Sequence, residues 1–161
     1  MPTLTQIRDA IHGKLSGVSG MGVVHKYERY AKEASALALL YYTGAAGSRR
    51  LHGWFIRRRA KRVTSPAEGR LAVVNEWMLR GYMSLDDADA TELTFDALTE
   101  AIGAAFAADE TLGGVVSATV IGDDNGADGV AGVQVEDSGP VLFAGVLCHS
   151  ARLKVFTRHY E

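Results

Sequence analysis

Two long β-type segments separated by a short turn sequence constrain the fold of this chain more than any other feature. Residues 51–61 and 70–83 are each predicted to form a strand. The segment between them contains three turn-forming residues, Ser65, Pro66 and Gly69. In the second strand one face is apolar at a period of two, through Leu71, Val73, Trp77 and Leu79. The pair therefore predicts an antiparallel hairpin.

Amphipathic segments predict helices before and after this hairpin. Residues 4–15 carry apolar side chains at helical spacing, and Thr3 is a suitable N-cap. A second helix is predicted after Asp89, which with Glu92 has the spacing of a capping box in acidic form. Its expected buried stripe is Phe95, Leu98, Ile102, Ala105 and Phe106. Residues 28–42 are ambiguous, because alanines and leucines favour helix while the end of the segment could equally start a strand.

Short strands are predicted in the rest of the chain. Residues 22–27 form the first, and residues 115–121 and 130–135 form two more around a polar turn at 122–129. A further turn is expected at residues 138–140, before a long strand or strand pair over 141–157. The predicted fold class is α+β, with an antiparallel or mixed sheet flanked by helices. Residues 1–161 are expected to form a single domain.

The charges of this chain are distributed unevenly along its length. Residues 1–82 hold 14 Lys or Arg and 5 Asp or Glu, whereas residues 83–161 hold 3 and 14. The net charges of the two parts are therefore +9 and −11. Such an asymmetry fits a subunit whose basic surface meets the acidic surface of a neighbour, and it also fits two solvated faces of different sign.

No catalytic, metal or cofactor site is predicted. The five histidines make no zinc-type pair, and Cys148 and His149 are adjacent, so a strand would point them to opposite faces as a buried thiol and a surface imidazole. No serine has the spacing of a nucleophile elbow, and no glycine cluster has the form of a phosphate loop. Residues 122–129 are rich in oxygen ligands, but Ala127 and the predicted flanking strands favour a hairpin turn over a calcium loop. The chain is therefore not expected to be an enzyme.

A run of cations around the first strand of the hairpin is the main candidate for a functional surface. Its members are Arg49, Arg50, Arg57, Arg58, Arg59, Lys61 and Arg62. On a regular strand Arg57 and Arg59 share one face and Arg58 takes the other. Three interpretations remain open: docking on an acidic partner or neighbouring copy, contact with nucleic-acid phosphates, and a solvated hairpin tip.

The order and spacing of several segments resemble the tail terminator proteins of tailed bacteriophages, in particular those of Mu-like phages. The matching parts are residues 22–30, 51–58, 77–87, 112–114 and 139–149, together with Phe95 and Phe106. The resemblance implies a homohexameric ring that caps the completed tail tube and then offers a surface to the head or its connector. It also implies that no cofactor is needed, and that the fold is a sheet flanked by helices.

The resemblance further implies where the protein acts and what it meets. Its expected partners are other copies of itself, the tail tube protein and the connector or stopper protein of the head–tail junction. A passing contact with phage DNA in the lumen is a further expectation, because the basic hairpin from Arg57 to Arg62 would point to the lumen or toward a neighbouring ring. No contact with a membrane is expected. The expected location is the head-proximal end of the tail in the virion, after assembly in the host cytoplasm. The alternatives are another head–tail connector or neck protein and a nucleic-acid-binding module with a basic patch.

Overall fold

The computed structural model describes residues 1–45, 47–121 and 130–161, and it confirms the predicted α+β class. The elements in chain order are α1 (Leu4–Ser16), β1 (Val23–His25), α2 (Ala34–Leu39), β2 (Tyr42–Thr43), β3 (Arg50–Ala67), β4 (Arg70–Ser84), α3 (Thr91–Ala107), β5 (Val120–Ile121), β6 (Val130–Ala131), β7 (Gln134–Phe143) and β8 (Val146–Tyr160). None of the described helices has the length and apolar character needed to cross a membrane.

One sheet organises the molecule, with strands in the order β1-β3-β4-β8-β7 and β2 paired to the start of β3. The long strands β3, β4, β8 and β7 are antiparallel to their neighbours, whereas β1 runs parallel to β3 opposite Gly53–Phe55. β5 and β6 pair with each other in a separate two-stranded sheet. The sheet is therefore mixed, and its centre is the pair β4 and β8.

The predicted hairpin is confirmed, and its strands are longer than expected. β3 continues to Ala67 and β4 begins at Arg70, so the turn is limited to Glu68 and Gly69. Gly69 has a φ of +73°, which glycine adopts without the steric cost that a Cβ imposes. Ser65 and Pro66 lie in β3 rather than in the turn.

The main core lies between one face of the sheet and the helices α1 and α3. α1 contributes Ile7, Ile11 and Leu15, and α3 contributes the predicted stripe except Ala105, which is half-buried. Two fully buried tryptophans, Trp54 and Trp77, are at the centre of the sheet side of this core. Burying such large apolar groups is the main stabilising contribution to the fold.

A second, smaller cluster covers one end of the opposite face of the sheet. Tyr41, Phe55, Tyr82 and Phe143 pack there beneath α2, with the rings of Tyr82 and Phe143 stacked 3.8 Å apart. The only helix that residues 28–42 form is α2, a six-residue helix, and their tail joins the short strand β2. The rest of this sheet face carries no helix from the described part of the chain, and we call it the open face.

The predicted N-cap of α1 is confirmed, but the predicted capping box of α3 is wrong. Thr3 and Gln6 satisfy each other's backbone N–H groups at the start of α1. α3 begins at Thr91 after Ala90, whose φ of 51° is left-handed, and no side chain caps it. The chain turns around Asp86 instead, because the backbone carbonyl of Asp86 accepts from the backbone N–H of Thr91 at 3.2 Å.

Two predictions in the C-terminal third are also wrong. Residues 138–140 lie inside β7, and the turn falls at residues 144–145, where Ala144 and Gly145 both have positive φ. Of the strand expected over residues 115–121, only Val120–Ile121 forms, although Ala118 makes an isolated bridge to Arg158. The polar turn expected at residues 122–129 lies outside the described residues.

Acid is expected to weaken the junction between α1 and the segment after α3. Lys14 Nζ lies 3.0 Å from Asp109 Oδ2, and together with hydrogen bonds from Thr111 and Gly113 it lowers the pKa of Asp109 to about 2. The pKa in the unfolded chain is near 3.8, so this contribution is complete above about pH 4 and is lost as the pH falls through about 2. Urea unfolding of Asp109→Asn and wild type should show a stability gap at pH 7 that closes towards pH 2. A gap that stays constant over that range would contradict this assignment.

Candidate assembly surface

The second half of β3 forms an edge of the sheet. β2 and β1 pair with β3 only as far as Phe55. From residue 57 to residue 67, β3 has β4 on one side, and no described strand on the other. Every residue of this segment is exposed. We call residues 57–67 the basic edge. An exposed strand edge of this length presents backbone donors and acceptors to which another strand can pair.

The basic edge carries five cations and no acidic residue. They are Arg57, Arg58, Arg59, Lys61 and Arg62. Arg57 Nη1 lies 2.8 Å from the carboxylate of Glu28, and it is the only one of the five that forms an ion pair within the described residues. The other four cations have no acidic partner among the described residues, so most of the charge on the edge is uncompensated there.

A β-bulge changes the direction of the arginine side chains. Arg58 lies opposite Trp77 and Ala60 lies opposite Glu76, so Arg59 is an extra residue without a partner in β4. The expected alternation, with Arg57 and Arg59 on one face and Arg58 on the other, is therefore interrupted. All three arginines line one cleft of about 400 Å³ on the open face, and Arg58 also lines a groove beside the start of α1 on the other side of the edge.

The structure separates the other two predicted cations from this group. Arg49 is exposed in the loop before β3, and Arg50 is at the start of β3. The guanidinium of Arg50 lies 3.7 Å from carboxylate oxygens of both Asp86 and Asp89. Of the seven cations predicted as one surface, five therefore lie together and two lie near the opposite end of the strand.

Two further arginines line the cleft, and no pattern in the sequence predicts them at this surface. Arg80 of β4 and Arg152 of β8 are direct cross-strand partners, and both line the cleft. Arg80 Nε donates to the Tyr82 hydroxyl at 3.1 Å, and Arg152 Nε lies 3.4 Å from Glu136. Like charges directly opposite each other destabilise a sheet, so this pair has a cost in the isolated protein.

The opposite edge of the sheet is β7. This strand pairs with β8 on one side, and no strand of the described chain pairs with its other side. We call residues 135–143 the acidic edge, because they hold Glu136 and Asp137 and no cation. Pro140 fits an edge position, since proline has no N–H to donate to a second neighbour. The carboxylate of Glu136 contacts Arg152 and Lys154, whereas Asp137 is exposed and makes no ion pair with a described residue.

The geometry of Cys148 and His149 does not provide a nucleophile paired with a base. Their side chains point to opposite faces, as predicted: Cys148 is buried in the second cluster, where burial raises the pKa of its thiol to about 11. His149 is buried too, contrary to the expected surface position, because it stacks on Phe95 and its Nε2 lies 2.7 Å from Thr91 Oγ1. Among the described residues, no three His, Cys, Asp or Glu side chains are grouped so that they could hold a metal ion.

Comparison with protein-family models gave no match to this chain, and comparison with curated protein sequences gave none either.

Proposed function

We propose that this protein is a structural subunit that joins copies of itself head to tail in a closed ring, and that the ring is a bacteriophage tail terminator. One observation carries the proposal. The sheet ends in two strand edges, both open within the described chain, with five cations on one and two carboxylates on the other. Strand edges of this kind pair with strands of another molecule when the geometry permits.

The charges favour one of the possible arrangements of two copies. A two-fold contact between basic edges would bring five cations of one copy against five of the other, which is strongly unfavourable. A contact between the basic edge of one copy and the acidic edge of the next avoids this repulsion and adds two carboxylates. Such a contact uses different surfaces on the two copies, so it is heterologous, and it produces a ring when the rotation closes.

The order of strands is compatible with a sheet that continues from copy to copy. β3, β4, β8 and β7 alternate in direction, so β7 of one copy would lie antiparallel to β3 of the next if both copies present the same face. The helices α1 and α3 lie on one face only. Continuing the sheet would therefore place α1 and α3 of every copy on one side of the ring wall, and α2 with the open faces on the other.

The role of the ring comes from the resemblance in sequence to tail terminators. A ring that matches the end of the tail tube on one side and differs on the other blocks further addition of tube subunits. Its second side then serves for attachment of the head or its connector. The proposal places the protein in the virion at the head-proximal end of the tail, after assembly in the host cytoplasm, and needs no cofactor.

Adding the protein to polymerising tail tube protein is expected to stop elongation and to leave a ring at tube ends in negative-stain images. The triple variant Arg57→Glu, Arg59→Glu, Arg62→Glu should fail to cap tubes, because reversing these charges sets an acidic β3 edge against the acidic edge of the next copy. A control with the same change in charge is Lys26→Glu, Lys32→Glu, Arg49→Glu, at exposed sites outside the basic edge.

Capping by the triple variant as efficient as capping by wild type would contradict the role of the basic edge. A ring that forms but does not bind tube ends would instead favour the alternative function, a connector or neck protein in another layer of the head–tail junction. The same measurement therefore separates assembly of the ring from its place in the particle.

A further inference from the structure

The open face of the sheet carries more positive charge than the described carboxylates around it neutralise. Cross-strand register places six cations on this face of β3, β4 and β8: Arg57, Arg62, Arg80, Arg152, Lys154 and Arg158. The carboxylates paired with them are those of Glu28, Glu76 and Glu136. Among the described residues, Arg62, Arg80 and Arg158 make no ion pair. The face therefore holds an excess of cations.

The cations form a track along the strands rather than a single cluster. Arg80 and Arg152 are opposite each other, the next row on the same face holds Arg57 and Lys154, and two rows further are Arg62 and Arg158. Rows on one face of a sheet repeat every two residues, or about 6.8 Å. A small anion would occupy one row, whereas a chain of regularly spaced anions would contact several rows.

Aromatic rings lie along the same track. The guanidinium of Arg70 is 3.8 Å from the centre of the Tyr160 ring, and that of Arg158 is 5.6 Å from it. Lys154 Nζ is 5.9 Å from the ring of Phe156. Aromatic side chains and guanidinium planes both stack on nucleic-acid bases, and this stacking tolerates any base sequence.

The arginines of this face also have unused hydrogen-bond donors. Within the part of the chain that the structure describes, Arg158 Nε is buried without a hydrogen-bond partner, and the Arg80 guanidinium makes one hydrogen bond, through Nε. A guanidinium fork matches the geometry of a phosphate, and a buried donor without an acceptor is costly to leave unsatisfied. A bound phosphate would offset the repulsion between Arg80 and Arg152 and would accept from guanidinium donors that reach the surface.

We propose that the open face binds single-stranded nucleic acid, with the arginines on the phosphodiester backbone and the aromatic rings against bases. The proposal does not depend on ring assembly, because four of the six cations, Arg80, Arg152, Lys154 and Arg158, lie on β4 and β8, away from both edges. Arg57 and Arg62 belong to the basic edge as well, so the variant Arg80→Gln, Arg152→Gln is the one that tests the face by itself. It is compatible with assembly, since a strand that pairs with the basic edge uses backbone groups and leaves the face open.

The test is fluorescence anisotropy of a labelled single-stranded DNA of about 20 nucleotides, titrated with the protein at several salt concentrations. Wild type is expected to bind with strong salt dependence. The variant Arg80→Gln, Arg152→Gln should lose at least about tenfold in affinity at low salt, and its salt slope should fall by about 1.4, since each single-strand phosphate contact contributes about 0.7. A second variant at exposed sites, Arg57→Gln, Arg62→Gln, should show the same direction of change without the risk of misfolding.

The matched control is Lys26→Gln, Arg49→Gln, which removes two exposed cations from outside the open face and is expected to change affinity less than twofold. An equal loss in the control would overturn the proposal, because it would show that only net charge matters. Absence of salt-dependent binding by wild type would overturn it as well.

Complete displacement of the DNA by millimolar pyrophosphate, with no dependence on DNA length, would show a small-anion site instead. If the face variants change only the mass of the protein in light scattering and not DNA binding, the face contacts a protein surface and the proposal is wrong.

Discussion

Reversing the charge of the basic edge is expected to abolish self-association of the protein. In the variant Arg57→Glu, Arg59→Glu, Arg62→Glu the β3 edge becomes acidic, so both edges of the sheet carry the same sign. The side chains that are changed are exposed, so the fold should be retained. Light scattering should give the mass of a single chain, 17.2 kDa, at concentrations where wild type forms a larger species.

A compensating change at the other edge is expected to restore assembly. Asp137→Lys and Ser138→Lys make the β7 edge basic, and both sites are exposed. Glu136 is left unchanged, because its carboxylate contacts Arg152 and Lys154 within the same chain. The protein with both edges reversed should assemble, and an equal mixture of the two singly reversed proteins should assemble too, with the two kinds of subunit alternating.

The rescue distinguishes direct edge contact from a general effect of charge. The protein with both edges reversed remains more acidic than wild type, so restored assembly cannot come from net charge. Assembly that survives reversal of the basic edge alone would exclude this edge as the interface. Failure of both the doubly reversed protein and the mixture would show that the two edges do not meet.

A methyl group added at Gly81 is expected to destabilise the fold by about 3 kcal/mol, at the upper end of the usual range for overpacking. Gly81 lies between Trp54 of β3 and Ala151 of β8 in the sheet register. A Cβ at this position would overlap the indole ring of Trp54, which is fully buried and stacks on Phe95. Because the ring is fully buried in the core, the melting temperature of Gly81→Ala should fall by roughly 6–12 °C.

Gly139→Ala is the matched control for this prediction. Gly139 is also in a strand and has no positive φ, but a Cβ there would meet no atom within 4 Å. Its melting temperature should stay close to that of wild type or rise slightly, because alanine restricts the unfolded chain. Equal melting temperatures for Gly81→Ala and wild type would show that Trp54 is not packed against β4 as described.

The elements that could be predicted from the sequence are those with an apolar period. The apolar stripe of α1 and the alternation of Val73, Trp77 and Leu79 in β4 predict that one side of each element is buried, and these residues are buried in the structure. The start of β7 has no such pattern, because Glu136, Asp137 and Ser138 are all exposed on an edge strand. A run of polar residues containing Gly139 and Pro140 therefore predicted a turn where the structure has a strand.

Only the part of the candidate surface that is formed by residues close together in the sequence could be predicted. Five clustered cations in β3 were evident from their spacing. Arg80 and Arg152 join them through the pairing of β4 with β8, which depends on the tertiary fold. The bulge at Arg59 could not be predicted either. This part of the strand has polar residues on both faces, so there is no apolar alternation that an inserted residue would interrupt.

The measurement that tests the central claim most directly is the mass of the wild-type protein in solution by light scattering, with negative-stain images of the same sample. The head-to-tail contact predicts a closed ring, and the resemblance to tail terminators predicts a mass near six times 17.2 kDa. A two-fold dimer, or a single chain at every concentration, would contradict the claim that the two edges of the sheet join copies in a ring.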